Sequence, residues 1–427
     1  MSLLYSLLIS CAAPCAFAVV LWRGLRDRSY WHGLAERFGW GPAVSAPGVW
    51  LHAVSLGEMS AAAPLIHAIR TRHSQLPLLL TTATPAGRAR AQALFGASVD
   101  VRFLPYDTPA SVRRFLARAR PRLAIIMETE LWPNLYRECE RRGVRVFLAN
   151  ARLSAKSVAR YRRLGSLFSG LFTANVQIAA QSAEDADRFQ SIGSAPQRIH
   201  VAGNVKFDLQ LAAGIIDQGR SLRAAFGSGR PVWIAGSTHA GEEEQLLDAH
   251  ARLLAPMPDA LLLLVPRHKD RFAAVAELLA RRGVRFARRS GGVAPDAGSQ
   301  VLLVDTVGEL ALLYAAADVA FVGGSLVAVG GHNLLEPAAL GLPVLTGPHY
   351  FNSREIALLL LERGAALQVA DAQELAAVLR RLLDDPEARR RIGAAGKQIV
   401  ESNRGSVARL LALMDPWLVE DSPSAGR

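Results

Sequence analysis

Val49-Trp50-Leu51-His52-Ala53-Val54, followed by Ser55-Leu56-Gly57-Glu58, is a short β-rich apolar run, then a turn of small residues, then the start of a helix whose interior includes Leu65, Ile66 and Ile69. Pro64 fits that helix only if it lies in the first turn. The same order recurs outward along the chain. Strands are predicted at 78–82, 101–104, 123–127, 144–148, 176–180 and 199–202, and again at 232–235, 261–265, 301–304, 319–322 and 343–345, with helical stretches such as 243–254 and 375–383 between them. Apolar strands alternating with helices predict parallel sheets covered on both faces. The fold class is therefore α/β, in two halves. Residues 207–230 lack strand character and carry Gly214, Gly219, Gly227 and Gly229, so they are expected to link the halves. Two doubly wound domains in tandem place a ligand in the cleft between the carboxyl ends of both sheets.

The chain has 427 residues, 51% of them apolar and 20% charged, which excludes a disordered or fibrous protein. Basic residues exceed acidic ones by 49 − 37 = 12, a surplus that points to anionic partners. The basicity is almost all arginine; Lys156, Lys206, Lys269 and Lys397 are the lysines. Cys11, Cys15 and Cys139 make neither a disulfide framework nor a CxxC zinc pattern, and a reducing compartment fits them.

Leu3 to Trp22 carries no charge. A helix of that length covers about 30 Å, the hydrocarbon thickness of a bilayer. Arg23, Arg26 and Arg28 follow and no basic residue precedes, so a single-pass anchor is expected with the rest of the chain in the cytoplasm. A cleaved secretory signal would need a basic leading region and a shorter apolar core. The clusters Arg113, Arg114, Arg118, Arg120, Arg122 and Arg152, Lys156, Arg160, Arg162, Arg163 are either solvated helix faces or surfaces for anionic lipid. Their few aromatics argue against a nucleic-acid groove.

Candidate chemistry gathers at predicted strand ends. Glu58 either caps its helix or, ionised, accepts a proton from a substrate hydroxyl. Glu128, directly after the 123–127 strand in Met-Glu-Thr-Glu, is the better placed of two acids, its alternative being surface solvation. Lys206, in Gly-Asn-Val-Lys-Phe-Asp at the entry to the linker, either is solvated or neutralises a carboxylate or phosphate. Gly236-Ser237-Thr238-His239-Ala240-Gly241-Glu242 offers small residues, hydroxyls and a helix start, a turn suited to an anion. It matches neither a P-loop nor GxGxxG. Arg267, after Pro266, could clamp a phosphate. Asn333 can cap a helix whose first free amides, at Leu334, Leu335 and Glu336, suit a phosphate, and Glu336 can accept from ribose hydroxyls. The turn through Val307, Gly308 and Glu309 lies on the same edge. His52, His239, His268 and His332 fall on four separate segments without HxxxH spacing, so no metal site is expected.

Together HAVSLGE, METELWPN, NARLS, GNVKFD, GSTHAGEE, VPRH, VGEL, GGHNLLEP and TGPHYFN, in this order over nearly the whole chain, resemble the Kdo transferases. That resemblance implies a GT-B fold, two Rossmann-like domains facing a cleft, with an N-terminal transmembrane helix. It implies an inverting, metal-independent glycosyltransferase of lipopolysaccharide biosynthesis. The enzyme would move 3-deoxy-D-manno-octulosonic acid (Kdo) from CMP-Kdo to the lipid A precursor, lipid IVA, at the cytoplasmic face of the inner membrane, without a cofactor. By position, Glu58 matches the catalytic base, and Glu128 and Lys206 match groups that stabilise the transition state. Pro266, Arg267, Val307, Gly308, Glu309, Asn333, Leu334, Leu335 and Glu336 match CMP-Kdo-binding segments. Val307, Val205, Ala328 and Ala35 depart from the family's usual methionine, leucine or isoleucine, proline and glycine. The expected organisation is an anchor over 1–22, a basic membrane-surface segment over 23–47, an acceptor domain over 48–206, the linker, a CMP-sugar domain over 231–420 and a disordered tail over 421–427. A sugar-nucleotide epimerase of similar shape, or a non-catalytic membrane-anchored scaffold, are the alternatives.

Overall fold

Residues 2–163, 165, 170–227, 229–292 and 294–419 are described by the computed structural model; the expected tail lies outside them. The chain divides into one unit of residues 1–208 and 404–427 and another of residues 209–403.

In the first unit the predicted strands form β1 (Gly48–His52), β2 (Leu78–Thr82), β3 (Asp100–Phe103), β4 (Pro121–Met127), β5 (Arg145–Ala151), β6 (Val176–Ala180) and β7 (Ile199–Val201). They pair in parallel in the order β3-β2-β1-β4-β5-β6-β7. Strand order reverses direction between β1 and β4, where open α/β sheets bind ligands beyond their carboxyl ends. The helices are α1 (Ser2–Gly24), α2 (Leu56–Arg72), α3 (Pro85–Phe95), α4 (Pro109–Ala119), α5 (Pro133–Arg141), α6 (Ala155–Arg163) and α7 (Ala183–Ser191). They begin where the caps sit: Ser55, Thr84, Thr108 and Ser182 each accept a first-turn N–H at the start of α2, α3, α4 and α7. Pro64 lies inside α2 rather than in its first turn. It removes one backbone donor, and the buried Leu65, Ile66 and Ile69 hold the helix through it.

The second unit contains β8 (Val232–Thr238), β9 (Leu261–Pro266), β10 (Phe286–Arg288), β11 (Val301–Leu303), β12 (Val319–Val322), β13 (Val344–Thr346) and β14 (Ala366–Gln368), parallel in the order β10-β11-β9-β8-β12-β13-β14. Its direction reverses between β8 and β12. β10 and β14, which were not expected, are three-residue edge strands with little burial to mark them. Helices α8 (Ile215–Ala225), α9 (Glu243–Leu254), α10 (Phe272–Arg281), α11 (Leu310–Ala315), α12 (Leu335–Ala339), α13 (Arg354–Glu362), α14 (Ala372–Asp384) and α15 (Pro386–Asn403) complete it. α8 occupies part of the expected linker and packs on α11, where Gly219 lies so close to Ala315 that a Cβ would meet it at 2.4 Å.

The last helix, α16 (Ser406–Val419), belongs to the first unit although the sequence had assigned 231–420 to the second. Leu410, Leu411, Met414 and Leu418 join the core under β1 and β5, and Asp208 accepts the Gly405 and Val407 amides at its start.

Residues 23–47 were expected to lie on a membrane, yet several of them knit into the first unit. Glu36 pairs with Arg88 and accepts the Phe103 amide. Arg37 is buried and its guanidinium lies 4.1 Å from the Phe103 ring. Three arginines of the 113–122 cluster hold chain rather than facing outward: Arg114 donates to Phe38 O, Arg118 to Gly41 O and Arg122 to Leu418 O. Arg114 and Arg118 both lie against Trp40. Helix α1 exists as expected and is long and apolar enough to cross a membrane. It is also bonded near its start to residues of the first unit.

Candidate active site

Ser55 caps α2, and Glu58 closes back on the residue before that cap. The Ser55 hydroxyl accepts the Glu58 amide at 3.3 Å, and Glu58 Oε2 reaches back to the Val54 amide at 2.8 Å. The bland reading of Glu58 as a cap is thus correct, but it is not the whole account. Burial pushes its carboxyl up to about 7, the Val54 hydrogen bond opposes this, and the negative charges of Glu128 and Glu130 add to the rise. A carboxylate titrating near neutrality, held by one backbone amide, is matched to proton transfer at physiological pH.

Glu128 stands two residues beyond Ile126, the partner of His52 in the β1–β4 register, so both acids flank the point where strand order reverses. Its backbone is left-handed (φ 57°) and its amide bonds Ala149 O. Next to it, on the bulged end of β5, Asn150 is also left-handed (φ 55°) and fully buried. Non-glycine residues in this conformation cost energy and cluster at functional sites. Asn150 Oδ1 accepts the Val205 amide at 3.0 Å and Asn204 Oδ1 that of Lys206 at 3.0 Å. These bonds fix the single turn Val205–Phe207, which packs on α2. Glu58, Glu128 and Lys206 therefore sit at one sheet edge of one unit. Glu130 is the acid set aside in favour of Glu128, and Asn150 stands only within NARLS; neither is named as a candidate from sequence, because their roles rest on neighbours distant along the chain. His52 faces the interior: its Nδ1 contacts Thr81 Oγ1 at 2.9 Å and burial pushes it down to about 4, so it is a neutral core histidine.

In the second unit β8 bulges at Ser237 (φ 60°), and the turn after it bends through Gly241 (φ 82°) to Glu242. That carboxylate is fully buried and accepts four backbone N–H groups, from His239 (3.2 Å), Gly324 (2.7 Å), Ser325 (3.0 Å) and Leu326 (3.0 Å). Burial raises its pKa and the four donors pull against that rise. It locks the loop after β12 onto the loop after β8. From its sequence Glu242 is only part of a helix start, since three of its four partners lie more than eighty residues away.

Three of the four scrutinised histidines meet here. His239 and His332 stack with Nε2 atoms 2.7 Å apart, and His268 lies edge-on to His239 with centroids at 5.4 Å. At this separation one ring donates and the other accepts, a bond that fixes opposite tautomers on the two imidazoles. Among the described residues no group of three His, Cys, Asp or Glu could hold a metal. Burial pushes both histidines down, His332 to about 4, and the charge of Arg267 acts in the same direction on each. Such a cluster favours an anion.

Pro266 ends β9, and Arg267 follows it, exposed, its amide bonded to Thr238 O. Asn333 was expected to cap α12, but Leu334 holds the N-cap position; Asn333 Oδ1 instead accepts the Leu335 amide from one residue further out, which occupies one of the amides expected to be free, and its Nδ2 donates to Glu336. Burial raises the Glu336 pKa. Glu309 is committed to an ion pair with Arg289 at 2.8 Å and a bond from Thr306, which hold its carboxyl below the usual range. This leaves Val307 and Gly308 to present exposed backbone.

Residues 32–209 match the family model described as 3-Deoxy-D-manno-octulosonic-acid transferase (kdotransferase), and residues 296–399 match Glycosyl transferases group 1. The fold resembles the crystal structure of a UDP-GlcNAc 2-epimerase from Neisseria meningitidis (TM-score 0.52, 14% identity, 83% of this chain and 99% of that one). The 3-deoxy-D-manno-octulosonic acid transferase of Bordetella pertussis is 38% identical across 97% of this chain and 99% of its own length. That of Haemophilus influenzae is 42% identical across 97% of both. The chain therefore belongs to the 3-deoxy-D-manno-octulosonic acid transferase family and is a glycosyltransferase.

Proposed function

We propose that the protein transfers Kdo from CMP-Kdo to the lipid A precursor, lipid IVA, with inversion and without a metal ion. The observation carrying this reading is the near-neutral Glu58 carboxyl at the β1–β4 reversal, flanked by a strained Glu128. Glu58 takes the proton from the acceptor's primary hydroxyl as that oxygen attacks the anomeric carbon and CMP departs from the opposite face, which inverts the centre. Lys206 offsets negative charge on the donor, and Glu128 stabilises positive charge developing on the sugar. In the second unit, Arg267 and the amides near Asn333, Leu334, Leu335 and Glu336 hold the CMP phosphate. Glu336 accepts from the ribose, and Pro266, Val307, Gly308 and Glu309 line the nucleotide. The enzyme works at the cytoplasmic face of the inner membrane, held by α1. A helix of that length does so either by crossing once, as its flanking arginines suggest, or by lying in one leaflet.

Incubation with CMP-Kdo and lipid IVA, followed by mass spectrometry of the lipid, should show added Kdo at a rate unchanged by EDTA. Consumption of CMP-Kdo without acceptor would favour the epimerase reading, and nucleotide binding with no turnover the scaffold.

The acid limb of the pH profile supplies a second check. A base must be ionised, so kcat/KM should rise with pH through an apparent value of about 7. Because Glu130 raises Glu58 by like charge, Glu130→Gln should move that limb to lower pH. An unmoved limb would assign it to another group.

A further inference from the structure

Helix α1 has a covered stripe along its whole length. Tyr5, Ser6, Ile9, Ala13, Phe17, Val20 and Gly24 are partly or fully buried, whereas the residues between them from Leu3 onward are exposed. Steps of three and four residues make this one face of a helix. Polar bonds fix its first turns: Tyr5 donates to Asp107 Oδ2 at 2.9 Å and Ser6 to Asn134 Oδ1 at 2.7 Å. Asp107 in turn accepts the Asn134 and Leu135 amides at the start of α5. Further along, Phe17 packs edge-on to Phe38 at 5.0 Å. The uncovered faces are apolar: Leu3 is 84% exposed, Leu8 61% and Trp22 55%.

Crossing a bilayer would set Tyr5 about 30 Å from Gly24, on the opposite side of the hydrocarbon. The first unit could not follow without carrying Asp107 and Asn134 into lipid, where an ionisable group costs several kcal/mol. Leaving the unit behind would break both polar bonds and strip the stripe.

Resting on the membrane reading above, we propose that α1 does not cross the bilayer. It lies lengthwise in one leaflet, its stripe on the first unit and its other faces in lipid, with both ends on the same side as the catalytic candidates. The partner is an anionic bilayer surface. Arg23 ends the helix and Arg26 and Arg28 follow it, Arg26 stacks on Trp22 at 4.9 Å, Trp31 is exposed, and Trp40 is exposed beside Arg114 and Arg118, a basic and aromatic rim suited to headgroups. Because Asn134 follows Glu128 by six residues, the start of α1 is tied to the same sheet edge as the proposed base.

The test uses the full chain with a polar, protease-cleavable tag ahead of Met1. Flotation with phosphatidylglycerol-containing vesicles comes first; failure to float would remove the membrane reading itself. Given flotation, the tag should be cut in inverted membrane vesicles and spared in intact spheroplasts. The opposite pattern would overturn the in-plane arrangement while leaving membrane association intact. In a Cys11→Ser, Cys15→Ser background, Ser6→Cys with Asn134→Cys should crosslink in native membranes on mild oxidation. A pair that stays reduced would overturn the docking.

Discussion

Replacing Glu58 with glutamine is expected to cut transfer by about 10²- to 10⁴-fold, the range a positioned general base contributes, while raising the stability of the fold. Glutamine keeps an oxygen for the Val54 amide and so preserves the cap. It cannot take the acceptor's proton. In the native protein this carboxyl titrates near 7, against 4.5 for an ordinary glutamate. The folded state therefore holds the proton more tightly than the unfolded one. Stability from this source is present below pH 4.5 and lost as pH rises to 7, up to about 3 kcal/mol before solvent screening of a half-buried group. The variant has no charge to desolvate, so its advantage should open across that window and stay level above it. CMP affinity should hold within about twofold, because the nucleotide candidates belong to the other unit. Transfer assays, thermal melts at pH 5 and 8 and CMP calorimetry read the three effects. Near-normal turnover would remove Glu58 from its role.

A comparable loss is expected in the second unit from Glu242→Gln. The amide would offer one acceptor oxygen and turn an NH₂ group toward donors that now meet a carboxylate. Leaving buried N–H groups unsatisfied costs about 1–3 kcal/mol each, and breaking a buried charged network about 3–5 kcal/mol. Melting should fall by several degrees and CMP affinity by more than tenfold, since the loop from Gly323 to Glu336 loses its tether. Exposed Glu277→Gln should do neither. If CMP affinity survived in Glu242→Gln, the tether would be a stability element alone.

Most of both sheets was legible because a parallel strand buried on both faces is written as an apolar run; twelve of the fourteen strands were expected, β7 among them although it is a half-exposed edge. The two that escaped, β10 and β14, are edges, where half-exposed residues such as Phe286 and Leu367 leave no such run. Placing α16 failed for a different reason. A helix's own residues say that it has a buried face, not which core receives it. The site divides similarly. Glu58, Glu128 and Lys206 could be singled out as candidates because each stands within four residues of the end of a predicted strand. The buried groups that hold the loops of each unit could not: Asn150 bonding the Val205 amide in the first, and Glu242 collecting amides of the loop after β12 in the second, are contacts across long stretches of chain. The histidines were read as four separate residues because spacing along a sequence says nothing about strand ends that are neighbours in a sheet.

Because Asp208 bonds the amide of Gly405, the two points where the polypeptide departs from the first unit and rejoins it are adjacent. Residues 209–403 are thus an insertion within a discontinuous domain, and the gene order does not mirror the architecture. A nonsense or frameshift lesion between residues 404 and 414 would spare every nucleotide-contacting candidate yet remove Met414 and Leu418 from the core of the unit that carries Glu58 and Glu128. Newly synthesised chains face the same constraint, since the half that emerges first from the ribosome stays incomplete until Ser406–Val419 has followed the whole of the other unit.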